Sequence, residues 1–210
     1  MSLPEFFIHP VVKLLGQTQS PYDVPADPAI FDGDWLTPTR SRVLDLLRDI
    51  DPETQAQNSV TGLGLTYLFI AADLERDYSV YLRLAGDGTV APRSPEEKAV
   101  VLTLAGVMEL EAYRHEGDVS ADTPWYVRQF SAGQIYAGHP GTIHSVAQSP
   151  DAVQLVVSRG AVPAIGRQLG SDDVAAQVAR ARELLQNAVA RDAALLDVTA
   201  ATALAEPPAR

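Results

Sequence analysis

The stretch Gly133-Gln-Ile-Tyr-Ala-Gly-His-Pro-Gly-Thr-Ile-His144-Ser-Val146 decides how this chain is read. Two short apolar runs, Gln134 to Ala137 and Thr142 to Ala147, flank a Gly-His-Pro-Gly turn. The spacing predicts strand, tight turn, strand, with glycines where the reversal needs positive φ. His144 stands just after the turn, on the returning strand.

Working outward, the period-2 signal repeats. Leu65 to Ala71, Tyr78 to Ala85, Ala99 to Leu104, Val107 to Tyr113, Trp125 to Phe130 and Ala152 to Ser158 all read as short strands. Gly86-Asp87-Gly88 and Gly106 punctuate them. Turn residues recur every 8 to 12 residues or so, the rhythm of a sandwich or barrel. Helical patterns lie on either side. Thr39 to Ile50 carries Val43, Leu44, Leu46, Leu47 and Ile50, and Asp51-Pro52 reads as its stop. Ser171 opens a second helix whose first turn holds Asp172 and Asp173, and whose apolar positions continue to about Asp197. Gln17 to Pro38 reads as an extended arm and Pro207-Pro208 as a tail. The predicted organisation is a single domain: residues 1–60 form an arm and helix, 61–163 the barrel, and 164–210 the closing helix and tail.

Composition narrows the function. The 210 residues carry a formal charge of −11, which repels phosphate backbones and anionic membrane surfaces. Nucleic acid and membrane are therefore not expected partners. Without cysteine, disulfides, thiolate nucleophiles and sulfur-ligated metals are excluded. No apolar run approaches the roughly 20 residues of a membrane helix, and Met1 to Gln17 lacks a signal-peptide pattern. A cytoplasmic protein is the expectation. There is no Gly-x-Ser-x-Gly elbow, phosphate loop or His-Glu-x-x-His.

The Gly133–Val146 stretch resembles the second cupin motif, and Tyr78 to Tyr113 resembles the first half of a cupin. Segment by segment, Leu65 to Pro163 is similar to the cysteine dioxygenase family. The resemblance implies a mainly β, cupin-type barrel flanked by helices, with a divalent metal held by a His-x-His pair, a further residue and a later histidine. His144 falls on that last position. Counting back from Gly106 puts Ala99, Pro92 and Ser94 on the other three. Proline and alanine side chains have no donor atom, and one imidazole does not hold a divalent metal against water. The family's early-strand arginine, which grips the substrate, has no counterpart in Thr66-Tyr67-Leu68-Phe69.

The expectation is accordingly a metal-independent enzyme acting on a small organic molecule by proton transfer, as isomerase, cyclase or lyase, with no cofactor. The Ala- and Arg-rich composition suggests a GC-rich bacterial genome, where the resemblance to a degenerate cupin implies specialised metabolism. Two alternatives stay open. One is an oxygenase holding iron or another divalent metal through His144 with His139 or His115. The other is a small-molecule-binding barrel without turnover. A homodimer is common among such barrels.

His144 and Gln154 are the expected catalytic residues, His144 as general acid or base. Tyr67, Tyr81, Arg83, Ser94, Tyr136 and Ser158 are the expected substrate contacts. Tyr81 and Arg83 share one face of their strand with Ser79, and Val80, Leu82 and Leu84 share the other. Which face looks inward is open at this point. Simple alternation points Ser94 into the barrel and Arg93 away from it. Glu109 and Glu111 are expected to face water, His115 and Glu116 to lie in a solvated loop, and His9 to be structural.

Overall fold

The structure is a computed structural model, and it describes residues 36–62, 64–73, 78–86, 90–94, 99–138, 141–159 and 166–205, with side chains up to 194. His9, Asp87, Gly88, His139 and Pro140 lie outside the described residues.

The described chain opens with helices α1 (Leu36–Asp49) and α2 (Pro52–Asn58). Eleven strands follow: β1 (Val60–Gly62), β2 (Leu65–Asp73), β3 (Tyr78–Ala85), β4 (Val90–Arg93), β5 (Ala99–Ala105), β6 (Val107–Tyr113), β7 (Tyr126–Ser131), β8 (Ile135–Gly138), β9 (Ile143–Gln148), β10 (Val153–Arg159) and β11 (Arg167–Gln168). A short helix, α3 (Glu116–Ser120), interrupts them, and the long helix α4 (Ser171–Ala205) ends the described chain. No helix among the described residues is long and apolar enough to cross a membrane.

The strands form two antiparallel sheets, ordered β11-β1-β2-β3-β10-β5-β8 and β4-β9-β6-β7. Chain order alternates between them from β3 to β5, crosses at β5–β6 and again at β7–β8, and returns through β9 to β10. Eight strands in two interleaved four-strand sets make a jelly roll, the double-sheet solution cupins share. The predicted mainly β, cupin-type barrel with helices before and after it is the fold observed.

Two apolar clusters divide the interior. The first joins the outer face of the larger sheet (Leu68, Leu82, Leu102, Leu155 and neighbours) to Val43, Leu46 and Leu47 of α1 and Val174, Ala181 and Leu185 of α4. The second lies between the sheets and includes Val101, Met108, Phe130, Tyr136, Val146 and Val156. Strand β3 is therefore buried on both faces along its whole length.

Several boundaries differ from the sequence reading. Leu36 to Pro38 begin α1 rather than ending an arm. Asp51-Pro52 does end α1, but it also starts α2. The Asp51 carboxylate caps the Thr54 amide at 2.8 Å and Pro52 occupies the first turn, where its missing N–H costs nothing. His115, read as part of a loop, instead caps α3, accepting from the Asp118 amide at 3.3 Å. Strands β1, β4 and β11 are too short to announce themselves.

Glycine is required at the β5–β6 corner. Gly106 has φ +68°, and a Cβ there would sit 2.6 Å from the Ala152 Cα. Gly106→Ala is expected to cost about 2–3 kcal/mol of unfolding free energy. Urea denaturation with an unchanged m-value checks this; a loss under about 0.5 kcal/mol would show that the corner relaxes freely.

Candidate functional site

Register places the inward-facing residues in rows. Across the larger sheet, Tyr67 pairs with Arg83, Arg83 with Gln154, and Gln154 with Thr103. The next row is Phe69, Tyr81, Val156, Val101 and Tyr136. The third holds Ser79, Ser158, Ala99 and Gly138. Across the smaller sheet, Arg93 pairs with His144, which pairs with Ala112, which pairs with Tyr126. Directly opposed residues on one face are close neighbours. These rows bring together most of the residues singled out in the sequence.

The open question on β3 resolves with Tyr81 and Arg83 facing inward. Val80, Leu82 and Leu84 belong to the core under the helices. Arg83 is 5% exposed. Its Nε donates to Gln154 Oε1 at 2.6 Å, and its Nη2 to Tyr136 Oη at 3.1 Å and Met108 Sδ at 3.3 Å. All three acceptors are neutral. Burial works against the guanidinium's charge, but the phenol oxygens of Tyr136 and Tyr67 outweigh it and the pKa moves up. Arg83 stays a cation.

Alternation fails on β4. Val90 pairs with Val146 and Arg93 with His144, so three residues of β4 span two of β9, and a bulge lies between Val90 and Arg93. A bulge shifts the phase of every side chain after it. Arg93 consequently turns inward, its Nη2 donating to Tyr67 Oη at 3.3 Å. Ser94 does not point into the barrel. It is exposed, and its hydroxyl accepts the Gly141 amide at 2.8 Å, bracing the turn before His144. Pro92 is exposed as well. Neither Pro92 nor Ser94, the residues counted onto the ligand positions, faces the interior; Arg93, between them, does.

His144 is half-buried and lies among these groups. Its Nδ1 is 3.2 Å from the Thr142 carbonyl, which can only accept, so Nδ1 carries the proton and Nε2 keeps its lone pair. Desolvation lowers its pKa to about 4; the Thr142 carbonyl opposes this, and the charges of Arg83 and Arg93 add to it. The ring is neutral at pH 7. The unfolded chain binds a proton near pH 6.5 that the folded chain refuses until about pH 4, so this contribution is complete above pH 6.5 and is lost as pH falls towards 4. It amounts to at most about 3 kcal/mol. Wild type is therefore expected to lose stability more steeply than His144→Gln between pH 6.5 and 4. Parallel urea midpoints across that range would contradict this.

Gln154 is fully buried, and its Oε1 accepts from Arg83 and, at 2.8 Å, from Gln148 Nε2. Among the described residues its own Nε2 has no partner, nor do Ser158 Oγ and Thr103 Oγ1, all buried on the same inner face. Tyr67 packs edge-on against Tyr81, with ring centroids 6.5 Å apart, and Tyr81 against Phe69 at 5.7 Å. Tyr136 stacks beside Phe130 at 5.2 Å.

The sequence resemblance implies a divalent metal in this place, and the residues do not fit one. His144 is the single described imidazole on the inner face, and Arg93 stands opposite it where further ligands would be needed. Arg83 and Arg93, with Arg128 on the same inner face opposite Leu110, make the interior cationic and repel a further positive charge. Among the described residues, no three His, Asp or Glu side chains converge. His115 is largely exposed at the head of α3. Glu109 and Glu111 lie on the outer face of their sheet, as expected. Gln129 donates to Glu109 at 3.1 Å, and Tyr113 and Ser145 donate to Glu111 at 3.0 and 2.8 Å. The inward rows of described residues carry arginines and no carboxylate.

No protein-family sequence model matches the chain, and no curated protein matches it. Among solved structures it is similar to KdgF from Halomonas sp., at 14% identity over 46% of this chain and 80% of that one, with a TM-score of 0.36. It is also similar to Bacillus subtilis oxalate decarboxylase, at 11% identity over 49% of this chain and 27% of that one, TM-score 0.38. A third is the DMSP lyase DddQ from Ruegeria pomeroyi, at 17% identity over 40% of this chain and 39% of that one, TM-score 0.31. The narrower likeness to cysteine dioxygenases is carried by the sequence pattern alone. By its own strand order, the described chain is a jelly-roll barrel of the cupin type, with arginines lining its interior.

Proposed function

We propose that this protein is a metal-independent enzyme that moves a proton on a small organic molecule held inside the barrel. His144 is the base, and Arg83 and Arg93 steady the oxygen on which negative charge develops. The observation that carries this reading is the pairing of a neutral imidazole, its Nε2 lone pair available, with two inward guanidiniums that have no described carboxylate partner. A base beside preorganised cationic donors is what enolate-type chemistry requires: isomerisation, cyclisation or elimination next to a carbonyl. Gln154 holds Arg83 in place through its amide oxygen, so it is better described as a positioning residue than as an acid or base.

The test is deuterium wash-in. Chelator-treated protein in D2O is mixed with a panel of small ketones and keto acids, and exchange of C–H next to the carbonyl is followed by NMR. The reading expects exchange for some member of the panel that survives chelation and is lost in His144→Gln. Exchange that disappears with chelation, or that His144→Gln retains, would count against it.

A second reading, a binding protein without turnover, is favoured by the same imidazole: a base with a pKa of about 4 is weak. Tight ligand binding with no wash-in across the panel would select it.

A further inference from the structure

We infer that the barrel recognises its ligand by a carboxylate group, lodged between Arg83 and Arg93 in the place where a metal-binding barrel would hold its cation. The inference rests on the reading of the barrel interior as the small-molecule site, and adds the class of molecule.

The barrel interior holds unmatched charge and unmatched donors. Arg83 is nearly fully buried, and Arg93 is half-buried and turned inward by the β4 bulge. Among the described residues neither forms an ion pair with an acidic side chain. The other buried arginine, Arg40, does so with Asp192. A buried cation without a counter-charge is costly, and a fold retains one most readily where an anion will sit. Tyr67 links the pair: its hydroxyl accepts from Arg93 and lies close enough to Arg83 to raise its pKa. Two buried donors on the same face, Gln154 Nε2 and Ser158 Oγ, also lack partners among the described residues. A carboxylate supplies acceptors in the number these groups need, since its two oxygens offer about four lone-pair sites and pair with guanidinium forks. The chain's net charge of −11 does not prevent this. Surface charges are screened beyond about 8 Å, while the interior field is set by nearby guanidiniums. The aromatic wall of Tyr67, Phe69 and Tyr81 suits an apolar body behind the carboxylate.

Isothermal calorimetry on the full chain tests this with three probes: benzoate, its neutral analogue benzamide, and inorganic phosphate. Benzoate is expected to bind at least tenfold more tightly than benzamide. Arg93→Gln, at a half-buried position where folding is readily confirmed by circular dichroism, is expected to remove that preference. Equal affinity for benzoate and benzamide, no binding of either, or an unchanged preference in Arg93→Gln would overturn the inference. So would phosphate binding more tightly than benzoate, which would mark a site for inorganic oxyanions. Failure here with wash-in intact on neutral ketones removes the carboxylate and leaves the proton-transfer reading standing. Benzoate selectivity without wash-in does the reverse.

Discussion

Arg83→Met is expected to weaken benzoate binding by about a hundredfold or more, and to leave the ligand-free protein as stable as wild type or more so. The two effects share one cause. Arg83 holds a full charge at 5% exposure, and its partners among the described residues are all neutral. Even whole buried ion pairs replaced by apolar side chains of similar volume are often neutral or stabilising by about 1–4 kcal/mol, and a cation held by neutral groups gives up less attraction when it is replaced. Met keeps the packing against Met108 and Tyr136 and removes the desolvation cost. Gln154 Oε1 still accepts from Gln148. For a bound anion the sign reverses, because truncating one partner of a buried charge pair costs about 2–5 kcal/mol. Thermal melts with and without benzoate separate the terms: the variant's melting temperature should match or exceed that of wild type and be insensitive to benzoate. A large loss of ligand-free stability would mean that Arg83 is a structural strut.

Arg40→Ala is expected to cost about 3–4 kcal/mol, the largest single loss of stability anticipated here. Arg40 is 1% exposed on α1, donates from Nε to the Leu104 carbonyl at 2.6 Å, and pairs through Nη1 with Asp192 of α4. One side chain thus ties both flanking helices to the barrel. Its removal leaves a buried carbonyl without a donor and opens a void between α1 and β5. Asp192 is half-exposed and can be solvated, which keeps the cost below that of stranding a fully buried partner. Denaturant unfolding checks the figure, and Arg40→Met should recover the packing part alone. A loss of less than about 1 kcal/mol would mean that α1 is held by its apolar face without this tie.

How much of this was legible beforehand depended on whether a residue's neighbours in sequence carry the signal. Strands β5, β6 and β10 and helix α4 announced themselves because their apolar positions repeat at a fixed period. The second-motif turn did so because Gly133 and Gly141 adopt positive φ, at +88° and +83°. Asp51-Pro52 was read rightly as the end of α1, but not as the start of α2, because the same dipeptide ends one helix and caps the next. Which choice holds depends on the few residues that follow.

The site was harder to read for the same physical reason. On β3, both Val80-Leu82-Leu84 and Ser79-Tyr81-Arg83 are buried, so polarity could not choose a face. Arginine normally marks the wet side, and here it marks the inside. On β4, one inserted residue between Val90 and Arg93 exchanged the roles of Arg93 and Ser94. Nothing in Val-Ala-Pro-Arg says that a bulge occurs, although proline is at home in one. His144, Gln154, Tyr67, Tyr136 and Ser158 were expected at the site and lie on the inner face, on strands whose register the turns fix; the face of Tyr81 was left open. Arg93 was missed because its register depends on its partner strand.

The most direct measurement is a Co(II) titration of the chelator-treated full chain, followed through the NMR signals of the His144 ring. If guanidiniums take the cation's place in this barrel, those signals should persist unshifted through one equivalent of metal. Selective paramagnetic shift or loss of the His144 signals at stoichiometric Co(II) would contradict it.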